Sequence, residues 1–307
     1  MSTLTKMTVS PHIHSGRSTA GIMRDVLIAL LPATVAGVAI FGLRALLPVA
    51  VCVVCCVGFE AFFNLIAKKQ QTVGDLSAAV TGLLLALNLP ANIPVWQCVI
   101  GSLFAIVIVK CIFGGIGSNL VNPALTARVF MLVAFESMAV SAFPVDVVSG
   151  ATFLSAQQEA PSFLDLFLGN YGGAIGETCT AALLLGFIYL LVRRVITWHI
   201  PTVFVGTVFV FSLFMEGLDA IAALSAVMAG GLLLGAIFMA TDYVTSPSTS
   251  WGKVIFALGA GLITCLIRYF GTYPEGVSFA ILFMNILTPY IDRWTRHKVF
   301  ATGGKCA

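Results

Sequence analysis

The sequence predicts an all-α integral membrane protein with about ten transmembrane helices, and three observations support this. Of its 307 residues, 59% are hydrophobic and only 9% are charged, whereas a soluble domain carries about 25% charged residues. The mean hydropathy is +1.02. Apolar runs of roughly 20 residues, long enough to cross a bilayer, occupy most of the chain. No length remains for a soluble catalytic domain.

The predicted spans follow one another with short polar interruptions. Arg44 separates the first two apolar runs, Lys68 and Lys69 follow the second, and Arg193 and Arg194 end the sixth. Taken in chain order, the spans are 22–42, 46–67, 75–90, 95–113, 120–140, 175–193, 201–216, 220–240, 253–270 and 277–292. The residues before the first span lack the apolar core of a secretory signal, so this span is expected to act as its own insertion signal.

The distribution of Lys and Arg predicts the topology, because short loops rich in these residues stay cytoplasmic. The opposite side receives only Arg44 and Arg268. Both termini are then cytoplasmic, and the long loop 141–174 is extracytoplasmic. The basic residues assigned to the cytoplasmic side are Lys6, Arg17, Arg24, Lys68, Lys69, Lys110, Arg193, Arg194, Lys253, Arg293, Arg296, Lys298 and Lys305.

Two pairs of similar segments suggest an internal repeat. TGLLLALNLPANIPVW at 81–96 is similar to GGLLLGAIFMATDYVTSPSTSW at 230–251, and FGGIGSNLVNPALT at 113–126 is similar to the segment at 270–289. The sequence therefore predicts two five-helix halves, 1–140 and 175–307, joined by the loop 141–174. An odd number of spans gives the halves opposite orientation, and such inverted repeats place sites near the membrane midplane. Chance similarity between apolar spans is the alternative.

Several spans are interrupted by Gly, Pro and Asn, and irregular backbone at membrane depth persists only where protein or a water-filled cavity satisfies its polar groups. An ion pathway is one interpretation, with Asp75, Asn119, Asn122 and Asp242 as candidate residues. Helix capping and interfacial placement explain the same four residues equally well. Arg128 lies deeper in a predicted span. It is expected to pair with a carboxylate or an anionic ligand, or to extend to the interface.

The cysteines and histidines do not predict a metal site. Cys52, Cys55 and Cys56 lie in an uninterrupted apolar run, where cysteines behave as small hydrophobic residues. A structural zinc site needs four ligands, and no second pair has comparable spacing. His12 and His14 lack further ligands nearby. No side chain is assigned a catalytic role.

The polar stretch DVVSGAT at 146–152 stands out in the extracytoplasmic loop. A threonine hydroxyl is a poor nucleophile without an external base or metal, and the loop has no adjacent His or Lys. If Thr152 reacts, another enzyme activates it. Gly150 and Ala151 leave the hydroxyl uncrowded, and Asp146 is placed to help orient it.

This stretch resembles the acceptor motif of flavin transferases, Asp-x-x-Ser-Gly-Ala-Thr, in which FMN is moved from FAD onto the threonine hydroxyl as a phosphoester, with magnesium. Asp146, Ser149, Gly150, Ala151 and Thr152 match it. Further segments, at 10–33, 113–126, 240–249 and 279–294, are similar to the D subunit of the Rnf ferredoxin:NAD oxidoreductase complex, a family related to the B subunit of the sodium-pumping NADH:quinone reductase. The resemblance covers essentially the whole chain. Tyr243 and Phe153 depart from it, since relatives often have Pro there.

The resemblance implies a membrane subunit of an ion-translocating oxidoreductase that is inactive alone and carries FMN covalently on Thr152. It also implies a second, noncovalent riboflavin, for which no residues are assigned. Expected partners are the other Rnf subunits, a flavin transferase for maturation and Na⁺ or H⁺, with no nucleic acid. The expected location is the cytoplasmic membrane of a bacterium or archaeon.

A channel or secondary transporter without a redox cofactor is the alternative from a different class. The predicted inverted repeat and broken spans suit it, and "SGAT" is then only a turn. A third interpretation is a structural anchor for partner subunits. Flavin content separates these hypotheses, because a transporter would be colourless and active alone.

Overall fold

The computed structural model describes residues 18–135, 138, 163–271 and 276–296, and this part of the chain folds mainly as helices. Each predicted span overlaps a helix of the structure. The helices are α1 Thr19–Phe41, α2 Leu46–Ile66, α3 Ser77–Leu87, α4 Val95–Leu103, α5 Pro123–Ala134, α6 Phe163–Leu168, α7 Thr180–Val192, α8 His199–Met215, α9 Ala220–Met228, α10 Leu232–Leu234, α11 Ser250–Phe270 and α12 Val277–Thr295. The helical class predicted from the sequence is confirmed.

Three of the described helices are long and apolar enough to cross a membrane. They are Thr19–Phe41, Leu43–Ile66 and Ser250–Phe270. The bent pair α9 and α10 provides a fourth if it counts as one span. Several further apolar helices are shorter, α3, α5, α7 and α8 among them. The structure is therefore that of a helical, multi-pass membrane protein.

Two helices are prolonged by π-helical turns. Phe104–Cys111 continues α4 and Gly235–Met239 continues α10. A π-helical turn widens the backbone spiral and frequently marks a functional site. Both π segments contribute side chains to the pocket described below.

Local capping explains where the short helix α5 begins. Asn122 accepts hydrogen bonds from the backbone N–H groups of Ala124 and Leu125, and Pro123 occupies the first position of α5. Both features favour a helix start. The helix therefore begins at Pro123 and not at the predicted residue 120.

The predicted span 220–240 is broken, a feature that the apolar pattern did not indicate. Helices α9 and α10 with its π segment meet at a bend of 65°. Gly230 at the break has φ +65°, a left-handed conformation that glycine adopts without strain. The Arg268 guanidinium donates to the carbonyl oxygens of Ala226 and Ala229 at 2.7 and 3.1 Å. It thereby satisfies carbonyl groups that the break removes from the helical ladder.

Helix pairs within and between the two sequence halves form the core. Helix α2 packs on α3 and α4, and α11 packs on α8 and α12. Helix α1 packs on α7, and α5 packs on α12, so these two contacts join the halves. Of the three cysteines predicted to behave as small hydrophobic residues, Cys52 is fully buried in this core and Cys56 in a smaller cluster, whereas Cys55 is half-buried.

Candidate functional site

A pocket opens where elements of both sequence halves meet. It encloses about 790 Å³ of space between atoms, including its opening to solvent. Its walls come from α1, α3, both π segments, the start of α5, the end of α7 and the connection after Met239. The lining residues are Ile22, Met23, Val26, Ser77, Val80, Thr81, Leu84, Lys110, Ile116, Asn119, Asn122, Pro123, Ala124, Leu190, Val195, Ile196, Phe238, Thr241, Asp242, Tyr243 and Val244.

Three predicted pathway residues meet in this pocket. Asn122 Nδ2 donates to the carbonyl oxygen of Met239 at 3.3 Å, which ties the start of α5 to the other half. The side-chain oxygen of Asn119 is buried and accepts no hydrogen bond from the described part of the chain. Asp242 accepts a hydrogen bond from Thr245 Oγ1 at 3.2 Å. The pocket therefore combines apolar walls with a few polar groups, as small-molecule sites do.

Asp242 lies in the connection between α10 and α11, where its environment favours the protonated carboxyl. Burial raises the pKa of this carboxyl, and hydrogen bonds from the backbone of Val244 and Tyr243 and from Thr245 oppose that shift only in part. The pocket thus contains a carboxyl that gains a proton more readily than a solvent-exposed aspartate.

A buried polar network forms one wall of the pocket. Lys110 Nζ donates to Glu60 Oε1 at 2.9 Å and to Ser77 Oγ at 2.6 Å. Thr72 Oγ1 also donates to Glu60 Oε1, at 2.8 Å. Ser77 Oγ in turn donates to Asp75 Oδ1 at 2.6 Å. The network joins α2, α3 and the first π segment, and it links the fourth predicted residue, Asp75, to the pocket wall.

Lys110, which the predicted topology assigns to the cytoplasmic side, is buried within the protein. Its side chain is only 2% exposed and is paired with Glu60. A charge at such a position is tolerated because the ammonium is paired with Glu60 and also donates to the Ser77 hydroxyl group. Glu60 and Glu177 were missed as site residues. An ionisable residue within an apolar run was the available signal for Glu60.

A second buried ion pair joins Arg128 and Glu177. Arg128 Nη2 lies 2.8 Å from Glu177 Oε1, and Arg128 Nη1 also donates to Asn88 Oδ1. This confirms the prediction that Arg128 pairs with a carboxylate. The pair connects α5, the segment before α7 and the end of α3.

The residues of the acceptor-like motif lie outside the described residues. They are Asp146, Ser149, Gly150, Ala151 and Thr152. Within the described part of the chain, no group of three or more His, Cys, Asp or Glu side chains is placed to hold a metal ion.

Comparison with known proteins establishes the family. The NQR2, RnfD, RnfE family profile matches residues 6–301. The chain belongs to this family. The predicted similarity to the D subunit of Rnf complexes is confirmed, because curated members of the NQR2, RnfD, RnfE family that carry that name match nearly the whole chain.

Three such relatives differ in the ion that their names state. The D subunit of the Na⁺-translocating ferredoxin:NAD⁺ oxidoreductase complex of Acetobacterium woodii is 48% identical over 95% of this chain and 93% of its own length. The proton-translocating counterpart of Clostridium ljungdahlii is 41% identical over 95% of each chain. The D subunit of the ion-translocating oxidoreductase complex of Halorhodospira halophila is 36% identical, covering 97% and 96%. Membership of the NQR2, RnfD, RnfE family therefore leaves Na⁺ and H⁺ both open.

Proposed function

We propose that this chain is the flavin-carrying membrane subunit of an Rnf-type ferredoxin:NAD⁺ oxidoreductase complex. It passes electrons through FMN attached to Thr152 and couples their transfer to movement of Na⁺ or H⁺. The observation that carries the proposal is the complete acceptor-like motif at 146–152 in a member of the NQR2, RnfD, RnfE family. The names of the relatives support it, since they describe subunits of ion-translocating oxidoreductase complexes.

The proposed arrangement has about ten spans in two inverted halves, with both termini cytoplasmic and loop 141–174 extracytoplasmic. The short helix α3 and the broken pair α9 and α10 support this arrangement, because they occupy corresponding positions in the two halves. Short or interrupted apolar segments at corresponding positions of the two halves are characteristic of inverted-repeat membrane proteins.

Thr152 is proposed to receive FMN from FAD in a reaction catalysed by a flavin transferase with Mg²⁺. The threonine oxygen forms a phosphoester bond to the FMN phosphorus, the pyrophosphate bond of FAD breaks, and AMP leaves. The transferase activates the hydroxyl, so the loop needs only an uncrowded threonine, and Gly150 and Ala151 provide one. A phosphoester link keeps the cofactor on the protein at a water-exposed surface.

The pocket is proposed to hold the second, noncovalent flavin, riboflavin. Its lining supports this proposal, because apolar walls with a few polar groups are typical of small-molecule sites. Asn119, Asn122 and Asp242 would hold the polar edge of the ring, and the buried, unpartnered oxygen of Asn119 fits a ring N–H donor. Val80, Leu84 and Phe238 supply apolar walls. A bound flavin supplies the electron-carrying chemistry that the side chains of this pocket lack.

The Thr152 assignment is tested by expressing the chain with a flavin transferase and viewing a denaturing gel under ultraviolet light. We expect a fluorescent wild-type band and a dark Thr152→Ala band, because only a covalent flavin survives denaturation. Ser155→Ala, a hydroxyl deletion in the same loop but outside the motif, is the matched control and should stay fluorescent.

A dark wild-type band would contradict the proposal, provided that the transferase labels another substrate in the same cells. The channel or secondary transporter hypothesis would then be favoured. Uniform fluorescence in wild type and Thr152→Ala would place the covalent flavin elsewhere in the chain.

A further inference from the structure

A second pocket lies between the start of α1 and the end of α7. It encloses about 680 Å³ of space between atoms, including its opening to solvent. Its polar lining residues are Ser18, Arg24, Asp25 and Arg193. Among the described residues, no arginine lines the first pocket, so the two guanidinium groups give this second pocket a basic character of its own.

One wall of the second pocket is a fixed ion pair. Asp25 on α1 is buried, and Arg193 Nη2 lies 3.2 Å from Asp25 Oδ2. Arg193 Nε also donates to Asp25 Oδ2 at 3.3 Å, and the Tyr189 hydroxyl donates to Asp25 Oδ1 at 3.2 Å. Both oxygens of the carboxylate are therefore bound by donors from the end of α7, and the charge of Asp25 is balanced by Arg193.

Arg24 gives the pocket its excess of positive charge. Its side chain is exposed, and no side-chain hydrogen bond or ion pair joins it to another residue in the described part of the chain. The lining thus holds two guanidinium groups against one carboxylate that is already paired. Guanidinium groups bind carboxylate and phosphate oxygens through charge-assisted hydrogen bonds, so the excess favours an anionic ligand.

Exposed apolar side chains continue from this pocket along both helices. Ile28 and Leu31 follow Arg24 at spacings of four and three residues and are exposed, and such spacings lie on one helix face. On α7, the exposed residues Ile188 and Val192 precede the basic end of the helix. A ligand with an anionic head and apolar chains would contact the pocket and these faces together, whereas a free inorganic anion would contact the pocket alone.

We propose that this pocket binds the headgroup phosphate of an anionic phospholipid, with Arg24 as its main contact. In the membrane arrangement proposed above, on which the inference rests, the pocket lies at the cytoplasmic end of α1. Basic pockets between membrane helices on that side are suited to anionic headgroups. The acyl chains lie along the exposed apolar faces of α1 and α7. The lipid thereby strengthens the contact between α1 and α7, which joins the two sequence halves.

The site is tested by native mass spectrometry of the full-length chain in detergent. The chain is titrated with dioleoylphosphatidylglycerol and, in parallel, with dioleoylphosphatidylcholine, which has the same acyl chains and a phosphate but no net charge. We expect the wild type to bind the anionic lipid more tightly. Arg24→Gln should weaken binding of the first anionic lipid roughly fivefold, the effect of one arginine at an anionic membrane surface.

Two further variants make the comparison specific. Arg24→Lys keeps the positive charge and should retain most of the affinity. Arg44→Gln is the matched control, because Arg44 is an exposed arginine just beyond the other end of α1 and lines neither pocket. Its affinity should equal that of the wild type. Equal affinities of Arg24→Gln and Arg44→Gln would overturn the proposal, as would equal binding of the two lipids by the wild type.

Inorganic phosphate, added at constant ionic strength, distinguishes a lipid from a free anion. The apolar faces contribute to lipid binding, so we expect phosphate to leave the anionic lipid bound. Displacement of the lipid by phosphate would show that the pocket is a site for free anions, and this would overturn the lipid assignment.

The noncovalent flavin content of each variant separates this site from the proposed riboflavin site, since Ile22 and Val195 line both pockets. Arg24→Gln should keep the wild-type content, because Arg24 does not line the first pocket. Loss of flavin together with lipid would mean that the two pockets form one flavin site, and it would overturn a separate lipid site. A dark wild-type band in the flavin gel would overturn the Thr152 assignment alone, because lipid binding is measured without reference to flavin.

Discussion

Replacing Lys110 by methionine is expected to cost about 3–5 kcal/mol of stability, the usual effect of removing one partner from a buried ion pair. Lys110 and Glu60 are 2% and 3% exposed in their side chains and lie 2.9 Å apart. Methionine fills a similar volume but leaves the Glu60 carboxylate without its cation. Glu60 Oε2 already has no hydrogen-bond partner among the described residues, so the remaining contacts cannot compensate.

The measurement is thermal or denaturant unfolding of the purified protein in detergent. The double variant Lys110→Met/Glu60→Gln should recover most of the loss, because it buries no unpaired charge. Lys253→Met is the matched control, since Lys253 makes an exposed hydrogen bond to Thr197 at 3.2 Å. A Lys110→Met protein as stable as the Lys253→Met control would show that the pair contributes nothing to folding.

The helical segments were largely predictable, because a bilayer-sized apolar run needs only local information. Their exact form was not. The break after Met228 depends on Arg268, which lies in a different helix and satisfies the carbonyl groups of Ala226 and Ala229. A sequence with two adjacent glycines permits such a break but does not require it.

The site was predictable in part. Asn119, Asn122 and Asp242 were chosen because polar residues beside broken spans are candidates for a pathway, and the structure brings them into one pocket. Glu177 could not be paired with Arg128 from sequence, because their contact depends on how the segment before α7 packs against α3. The pairing of Lys110 with Glu60 was equally hidden, because it depends on how the first π segment packs against α2.

Replacing Asn119 by leucine is expected to remove most of the noncovalent flavin while leaving the fold intact. The Asn119 side-chain oxygen lines the pocket and accepts no hydrogen bond within the described residues. Removing this oxygen therefore breaks no described hydrogen bond within the protein. A ligand N–H group that is buried without an acceptor, however, weakens the binding free energy by about 1–3 kcal/mol. This corresponds to a reduction in affinity of roughly 5- to 150-fold.

Asn122→Leu provides the informative comparison. Asn122 caps α5 and donates to the Met239 carbonyl oxygen, so its replacement should reduce stability by about 0.5–2 kcal/mol through the lost cap as well as reducing flavin content. Each purified variant is divided into two portions. In one portion, the flavin released by denaturation is quantified per polypeptide. In the other portion, the unfolding midpoint is measured. Covalent fluorescence at Thr152 should persist in both variants. Full noncovalent flavin in Asn119→Leu would exclude this pocket as the riboflavin site, because the unpartnered oxygen is the group that most directly matches a ring donor.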